Sequence, residues 1–290
     1  MTSNEPVGEA EIWSALCRHA KEKSGPKTTL SSADGSFEYC RIAPDAPRAW
    51  LPLKQCQISS PAQAMLDLYM PLLSAPMDEE LVVAHLGQSL DGRVATHSGN
   101  SQFISGQENL LHTHRMRALF DAVLVGANTA RMDDPKLTTR LTSGEHPVRV
   151  VIDPHASIDP KSNLFTDRTA RTLILCRERH LPANSEHHVG IADKDEEGPF
   201  FSCRTILDTL RTQGLRRIFI EGGGITVSRF LREGCLHRLH VCVAPMIIGS
   251  GRPAFVLPEI DRLEDSVFLN AKHFPSGDDI LFDCQFRTRK

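Results

Sequence analysis

Arg217-Ile218-Phe219-Ile220-Glu221-Gly222-Gly223-Gly224-Ile225-Thr226-Val227 is the stretch from which the fold is read. Arg217 to Ile220 has the β-branched and aromatic character of a strand. Three glycines then turn the chain, and Ile225 to Glu233 reads as a short helix stopped by Gly234. The first N–H groups of a helix have no partner inside it, and the macrodipole makes that end partly positive. Glycine there lets an anion approach without a Cβ in the way. The segment is therefore either an ordinary tight connection or a phosphate cradle, with Glu221 projecting into the same cleft. It contains no GxGxxG, so the Rossmann dinucleotide fingerprint is absent.

Outward from this unit the chain alternates strands and helices. Ser202 caps a helix through Gln213 that Gly214 closes. Leu236 to Ala244 alternates, with Leu239, Val241 and Val243 on one face and His240 and Cys242, read as core-side polar residues, on the other. Upstream, Leu81–Leu86, Ala122–Gly126, Val148–Ile152 and Thr172–Cys176 are short apolar strands, as expected where both faces of a sheet are covered. Ser105-Gly106-Gln107-Glu108 reads as a capping box that opens a helix to about Phe120. His180 to Pro199 reads as an exposed excursion. Ser266–Leu269 and Ile280–Phe286 read as a closing antiparallel pair across Pro275 to Asp278. The predicted fold is α/β, a three-layer sandwich around a mostly parallel mixed sheet with a C-terminal antiparallel pair. In such sheets ligands bind beyond the carboxyl ends of the strands, where Ser89, Thr129, Asp133, Asp153 and Gly222 to Gly224 all fall.

Residues 1–76 differ and form an N-terminal extension, leaving 77–290 as the main domain. Glu9 to Lys23 and Pro61 to Leu73 read as helices, the second capped by Ser59 or Ser60; Ser24-Gly25-Pro26 ends the first, and Pro71 and Pro76 close the segment. Phe37 to Ile42 reads as a strand before the proline-rich Pro44 to Pro47. A zinc deaminase is excluded here, because His19 and Glu22 are three apart and no Pro-Cys-x-x-Cys occurs.

The 290 residues are 40% hydrophobic and 24% charged with net charge −3, which gives no reason to expect nucleic acid or an anionic membrane as partner. No apolar run spans a bilayer, the N-terminus has no signal-peptide pattern, and the eight scattered cysteines suit free thiols. A soluble, cytoplasmic protein is expected. His187 and His188 lack a third ligand at suitable spacing, so no metal is expected.

One helix and one loop carry candidate chemistry. Leu110, His114 and Arg117 share a side of the predicted helix, and a buried Arg117 needs an anion, either a structural carboxylate or a ligand phosphate. Ala127 to Arg131 and Asp133 to Arg140 read as one loop, either a site wall or a solvated turn opened by Asp133-Asp134-Pro135.

Taken together, Leu86-Gly87-Gln88-Ser89-Leu90-Asp91-Gly92, Ser98-Gly99-Asn100-Ser101-Gln102-Phe103, Leu119 to Gly126, Asp133 to Arg140, Val148 to Asp153, Glu221-Gly222-Gly223 and Ala244-Pro245 resemble the reductase domain of the bacterial riboflavin-biosynthesis deaminase/reductase, over roughly residues 81–286. That resemblance implies a dihydrofolate-reductase-like fold without the deaminase half. It implies NADPH-dependent reduction of 5-amino-6-(5-phosphoribosylamino)uracil to its ribitylamino form, hydride passing from nicotinamide C4 to C1′ of the opened ribosyl group. By matching position, Gly87, Phe103, Thr129, Asp133, Pro154, Gly223, Gly224, Ile225, Thr226, Val227, Ser228 and Arg229 would line the NADPH site. Ser101, Arg117, Leu137, Arg140 and Glu221 would contact the phosphorylated pyrimidine, and Asp133 or Glu221 would deliver the proton. Family members pair through their sheets, which implies a homodimer. Two residues depart from the pattern. Phe103 stands where a tryptophan is common. His85 stands where a lysine is expected, exchanging a fixed charge for a switchable one. The alternatives are a reductase of another pyrimidine- or pterin-like compound, and a non-catalytic nucleotide-binding protein.

Overall fold

A computed structural model describes residues 6–21, 29–35, 38–43, 46–52, 57–74, 79–102, 104–183, 185–192 and 200–287. Phe103, the stop at Ser24-Gly25-Pro26, and Pro76 lie outside them. The chain divides into two compact units, Met1–Leu81 and Val82–Lys290.

The first unit contains α1 (Glu9–Lys21), the antiparallel strands β1 (Thr29–Ser31), β2 (Glu38–Ala43) and β3 (Ala46–Pro52), and α2 (Ser60–Leu73). Trp13 of α1 meets Tyr69 of α2 edge-on at 5.8 Å, in a core that includes Ile12, Leu16, Leu66 and Leu72. Ser59 caps α2, accepting from the Ala62 N–H. Pro71 lies inside α2 rather than ending it. Strands β1 and β3 were not anticipated; the first is only three residues long, and the second carries Pro47 and Pro52.

The second unit runs β4 (Leu81–Ser89), β5 (Arg93–Ala95), α3 (Gln107–Leu119), β6 (Ala122–Gly126), α4 (Ala127–Asp133), β7 (Val148–Ile152), α5 (Asn163–Thr166), β8 (Thr172–Arg177), β9 (His188–Ile191), α6 (Cys203–Thr212), β10 (Arg217–Glu221), α7 (Gly224–Arg232), β11 (Arg238–Ala244), β12 (Arg252–Pro253), β13 (Leu269–Ser276) and β14 (Asp279–Phe286). Nine strands form one sheet in the order β13-β14-β11-β4-β10-β6-β7-β8-β9. The pairs β4/β11, β10/β6, β6/β7, β7/β8 and β8/β9 are parallel, and β14 is antiparallel to β11 and β13. This is the mixed sheet with an antiparallel edge that the strand pattern predicted.

Alternation along the strands decides the layers. Ala84, Leu124, Val150, Leu173, Ile218, Ile220 and Leu239 pack with Ile206 and Leu210 of α6 and Val227 and Phe230 of α7. On the other face His112 of α3 meets His85 and His240, and Phe219 stacks on His85. Among the described residues no helix is long and apolar enough to cross a membrane.

Four local expectations are corrected. Ala127 to Asp133 is a helix, ended by Asp134 in the left-handed conformation at φ 38°; the Asp-Asp-Pro signal marks its end, not a loop throughout. The excursion after His180 contains β9, an edge strand with only Ile191 fully buried, too weakly apolar to read as one. The capping box at Ser105 does not form: Gly106 caps α3 without a side chain, and its N–H donates instead to Asp279 Oδ2 at 2.7 Å. The closing pair is longer than read, with β13 running through Pro275 at the sheet edge and turning at Gly277-Asp278.

Candidate active site

The glycine turn joins β10 to α7 with Gly222 and Gly223 both at positive φ, 76° and 64°. That conformation suits glycine and strains other residues. Gly223 caps α7 without a side-chain hydrogen bond, so the first N–H groups of the helix face outward unclaimed by a cap. Gly224 is demanded by space: a Cβ there would sit 2.6 Å from the Ala254 carbonyl oxygen and 2.8 Å from that of Pro253. The hydroxyls of Thr129 and Thr226 close on the same turn, 3.1 Å from a Cβ at Gly223 and 2.9 Å from one at Gly126.

A cleft of about 720 Å³ opens over this turn at the carboxyl ends of β4, β6, β7 and β10. Gly87, Ser101, Thr129, Asp133, Leu137, Pro154, Glu221, Gly223, Gly224, Ile225, Thr226 and Arg229 line it. Four predicted residues do not. Val227 and Ser228 turn into the protein, and the Ser228 hydroxyl accepts from the Val256 N–H at 2.8 Å. Arg117 and Arg140 are not among the residues that line the cleft.

The predicted anion partner of Arg117 is Glu221. The guanidinium grips the carboxylate with two prongs, Nε to Oε2 at 2.8 Å and Nη2 to Oε1, while Nη1 donates to the Thr138 carbonyl at 2.9 Å. Its side chain is 6% exposed and that of Glu221 20%. This is a structural carboxylate, the first of the two possibilities raised by the sequence. It fixes Glu221 at the cleft and leaves Arg117 little reach towards a ligand. Arg140 is exposed, and its Nη1 donates to Thr138 Oγ1 at 2.7 Å. The backbone N–H groups of Arg140 and Leu141 both donate to His114 Nδ1, at 2.8 and 3.2 Å. Burial, then the charges of Arg117 and Arg140, push His114 down to about 4, which keeps that nitrogen an acceptor.

The loop between α4 and β7 is braced from behind. Asp134 accepts from the Asn163 N–H and side-chain amide, and buried Arg149 donates to the carbonyls of Lys136, Asn163, Leu164, Asp167 and Ala170. Leu137 is held at φ 52° and buried. Asp133, at the end of α4, is open to the cleft; burial of its carboxyl first, and the charge of Glu221 second, raise its pKa. The site thus combines a glycine-lined helix N-terminus, a carboxyl biased towards keeping its proton, and a clamped carboxylate.

Arg131, within the stretch read as a site wall, lines the cleft and donates to Ser157 Oγ at 2.6 Å. Sequence reading missed a different group. Asn109 borders an adjoining cavity together with His85, and nothing in the spacing of one residue on α3 and one on β4 announces that meeting. Among the described residues no group of three or more His, Cys, Asp or Glu side chains is placed to hold a metal.

Comparison with known proteins bears on the same region. Residues 80–280 match the family described as the RibD C-terminal domain. Over 214 residues the chain is 34% identical to the 2,5-diamino-6-ribosylamino-4(3H)-pyrimidinone 5′-phosphate reductase of Methanothermobacter thermautotrophicus, covering 70% of this chain and 96% of that protein. It is 33% identical over 196 residues to the riboflavin biosynthesis protein RibD of Aquifex aeolicus, covering 67% of this chain and 54% of that one. The chain therefore spans about half the length of that relative. Among solved structures, a deaminase/5-amino-6-(5-phosphoribosylamino)uracil reductase from Thermotoga maritima superposes with a TM-score of 0.63 at 24% identity, over 80% of this chain and 64% of that one, a likeness of fold.

Proposed function

The chain belongs to the RibD C-terminal domain family and is a pyrimidine reductase of riboflavin biosynthesis, and from that premise we propose that it uses NADPH to reduce a 6-ribosylamino-pyrimidine 5′-phosphate to the ribitylamino compound. The observation that carries this reading is that the glycine turn of α7, Asp133 and the Arg117-held carboxylate of Glu221 line one cleft. The turn suits a cofactor phosphate: backbone N–H groups point outward at the positive end of a helix, and Gly224 leaves no room for a side chain. Thr129, Thr226 and Pro154 would line the rest of the cofactor's path, with Arg229 beside them. When bound, the nicotinamide supplies the hydride that reduces C1′ of the opened ribosyl group.

The protein's own residues position and protonate. Asp133, whose pKa is raised by burial and by the Glu221 charge, stands at the cleft to deliver a proton to the developing amine nitrogen. Glu221, gripped by Arg117, offers a carboxylate of fixed direction to a substrate N–H or hydroxyl. Arg117 is thereby a positioning residue. Arg140 is the exposed guanidinium available for the substrate phosphate, a group it suits geometrically. Ser101 and Leu137 complete the substrate side.

Purified protein incubated with NADPH and either pyrimidine substrate should oxidise the cofactor and yield the ribitylamino product, and the gene should rescue a reductase-deficient riboflavin auxotroph. Cofactor binding without turnover of either pyrimidine would redirect the assignment to another heterocycle. A homodimer and a cytoplasmic location belong to the same proposal. Val267, Phe268 and Ile280 are exposed apolar side chains on or just before the edge hairpin, and sedimentation velocity tests the pairing.

A further inference from the structure

Between α4 and β7 the chain runs from Lys136 to Leu141 without helix or strand, yet it carries Leu137 and Arg140. A segment outside the regular elements has no ladder to satisfy its main chain, so its shape depends on what its N–H and C=O groups meet. Here side chains meet them. Arg149 of β7 donates to the Lys136 carbonyl, and Arg117 of α3 donates to that of Thr138 at 2.9 Å. His146 Nδ1 accepts from the Thr139 N–H at 3.2 Å, and His114 of α3 accepts from the N–H groups of both Arg140 and Leu141. All these bonds are internal to the protein, so the segment, with Leu137 at φ 52°, does not wait on a ligand for its shape.

His114 makes the bond that bears on Arg140. Its ring is buried, and it lines neither the cleft nor the adjoining cavity. A neutral imidazole has one lone pair, on whichever nitrogen lacks the proton. Two N–H groups converge on Nδ1, so the lone pair is there and the proton sits on Nε2. Burial, with the charges of Arg117 and Arg140, keeps the ring neutral. One lone pair thereby fixes two successive peptide units. Beyond the main chain, Thr138 Oγ1 accepts from Arg140 Nη1 at 2.7 Å. The guanidinium is thus directed at both ends, its root by His114 and its tip by Thr138.

Resting on the reading above in which Arg140 takes the substrate phosphate, we propose that His114 is a positioning residue for that contact. Its Nδ1 lone pair holds the backbone at Arg140 and Leu141, so that the guanidinium meets the phosphate already oriented. His114 acts through the main chain and not by touching the substrate.

Two amides of similar polarity test this. Asparagine places Oδ1 where Nδ1 stood, whereas glutamine fills more of the ring's space and carries its oxygen one atom further, to where Nε2 stood. The measurement is the KM for 2,5-diamino-6-ribosylamino-4(3H)-pyrimidinone 5′-phosphate or 5-amino-6-(5-phosphoribosylamino)uracil, whichever the protein turns over with NADPH. His114→Gln should raise it at least about ten-fold, with kcat within about three-fold and the KM for NADPH unchanged. His114→Asn should recover most of that loss. A residue that only fills space would give the reverse order and move both KM values together, which overturns the inference. In an Arg140→Ala background the two amides should differ by less than about two-fold. A difference that persists there in full overturns the inference and leaves the reductase reading standing. If Arg140→Ala by itself leaves the pyrimidine KM unchanged, the inference and the role of Arg140 fall together. Hydrogen exchange on the wild-type protein decides even where a variant fails to fold: the Arg140 and Leu141 amides should be protected at least about a hundred-fold, and free exchange at both overturns the proposal.

Discussion

Arg117 and Arg140 are two guanidiniums of one neighbourhood with opposite surroundings, and their variants should separate accordingly. Arg117 is buried against Glu221 with bidentate geometry, so Arg117→Ala strands a carboxylate that is four-fifths covered. The expected cost is roughly 3 kcal/mol, the lower end for breaking a buried pair, read by urea unfolding. Arg140 is exposed, so Arg140→Ala should change stability by no more than about 0.5 kcal/mol while raising the KM for the phosphorylated substrate and sparing that for NADPH. Asp133 makes a prediction of opposite sign for stability. Its folded-state pKa lies above the ordinary carboxyl value, so below the unfolded value both states hold the proton and the group is neutral towards folding. As pH rises through the raised value the charged form is disfavoured in the fold and stability is lost. Asp133→Asn should therefore raise Tm at neutral pH and leave it unchanged in acid. The rate of reduction should fall as pH rises past the same point, and Asp133→Asn should remove that limb along with most of the activity. The sequence indicated that Arg117 needed an anion, yet it could not name Glu221, 104 positions away. It likewise suggested a switchable charge at His85, and burial beside His240 removes the switch.

At the scale of elements, the segment from β10 to α7 was legible because its determinants are local: a run of apolar residues, glycines where φ turns positive, and Gly234 past the helix end. Gly224 and Gly234 serve different ends, and substitution tells them apart. Gly234 closes α7 at φ 66° with open space around it, and the Cys235 N–H returns to the Phe230 carbonyl at 2.9 Å. Gly234→Ala should cost about 1 kcal/mol of stability and leave cofactor affinity alone. Gly224→Ala drives a methyl into the backbone at Pro253 and Ala254, so either the turn or that segment moves. Cofactor affinity should fall at least about ten-fold, measured by NADPH fluorescence titration. Elements whose determinants are remote were misread. The N-terminus of α3 is held by Asp279, whose carboxylate arrives from β14, so a local capping box was inferred where none forms. Asp279→Ala should lower stability by about 1 kcal/mol, as loss of a cap does, with hydrogen exchange rising first at the amides of Gly106 to Asn109.

For the whole molecule, the question is how much of the chain the site requires. Every residue lining the cleft and the adjoining cavity falls in Val82–Lys290, and so does the apolar core that runs from Val82 to Cys284. The family match begins at residue 80. A unit with its own core and a complete set of site residues has the means to fold and bind alone. A protein comprising residues 80–290 should therefore unfold cooperatively and bind NADPH within about two-fold of the full chain. The sheet explains why the cut belongs before β4 and nowhere later. That strand lies between β11 and β10, and it carries both His85 and Gly87 to the ligand end. Removing it would open the sheet at its middle instead of trimming an edge. A shortened protein that folds but loses NADPH affinity by more than about ten-fold would contradict that independence.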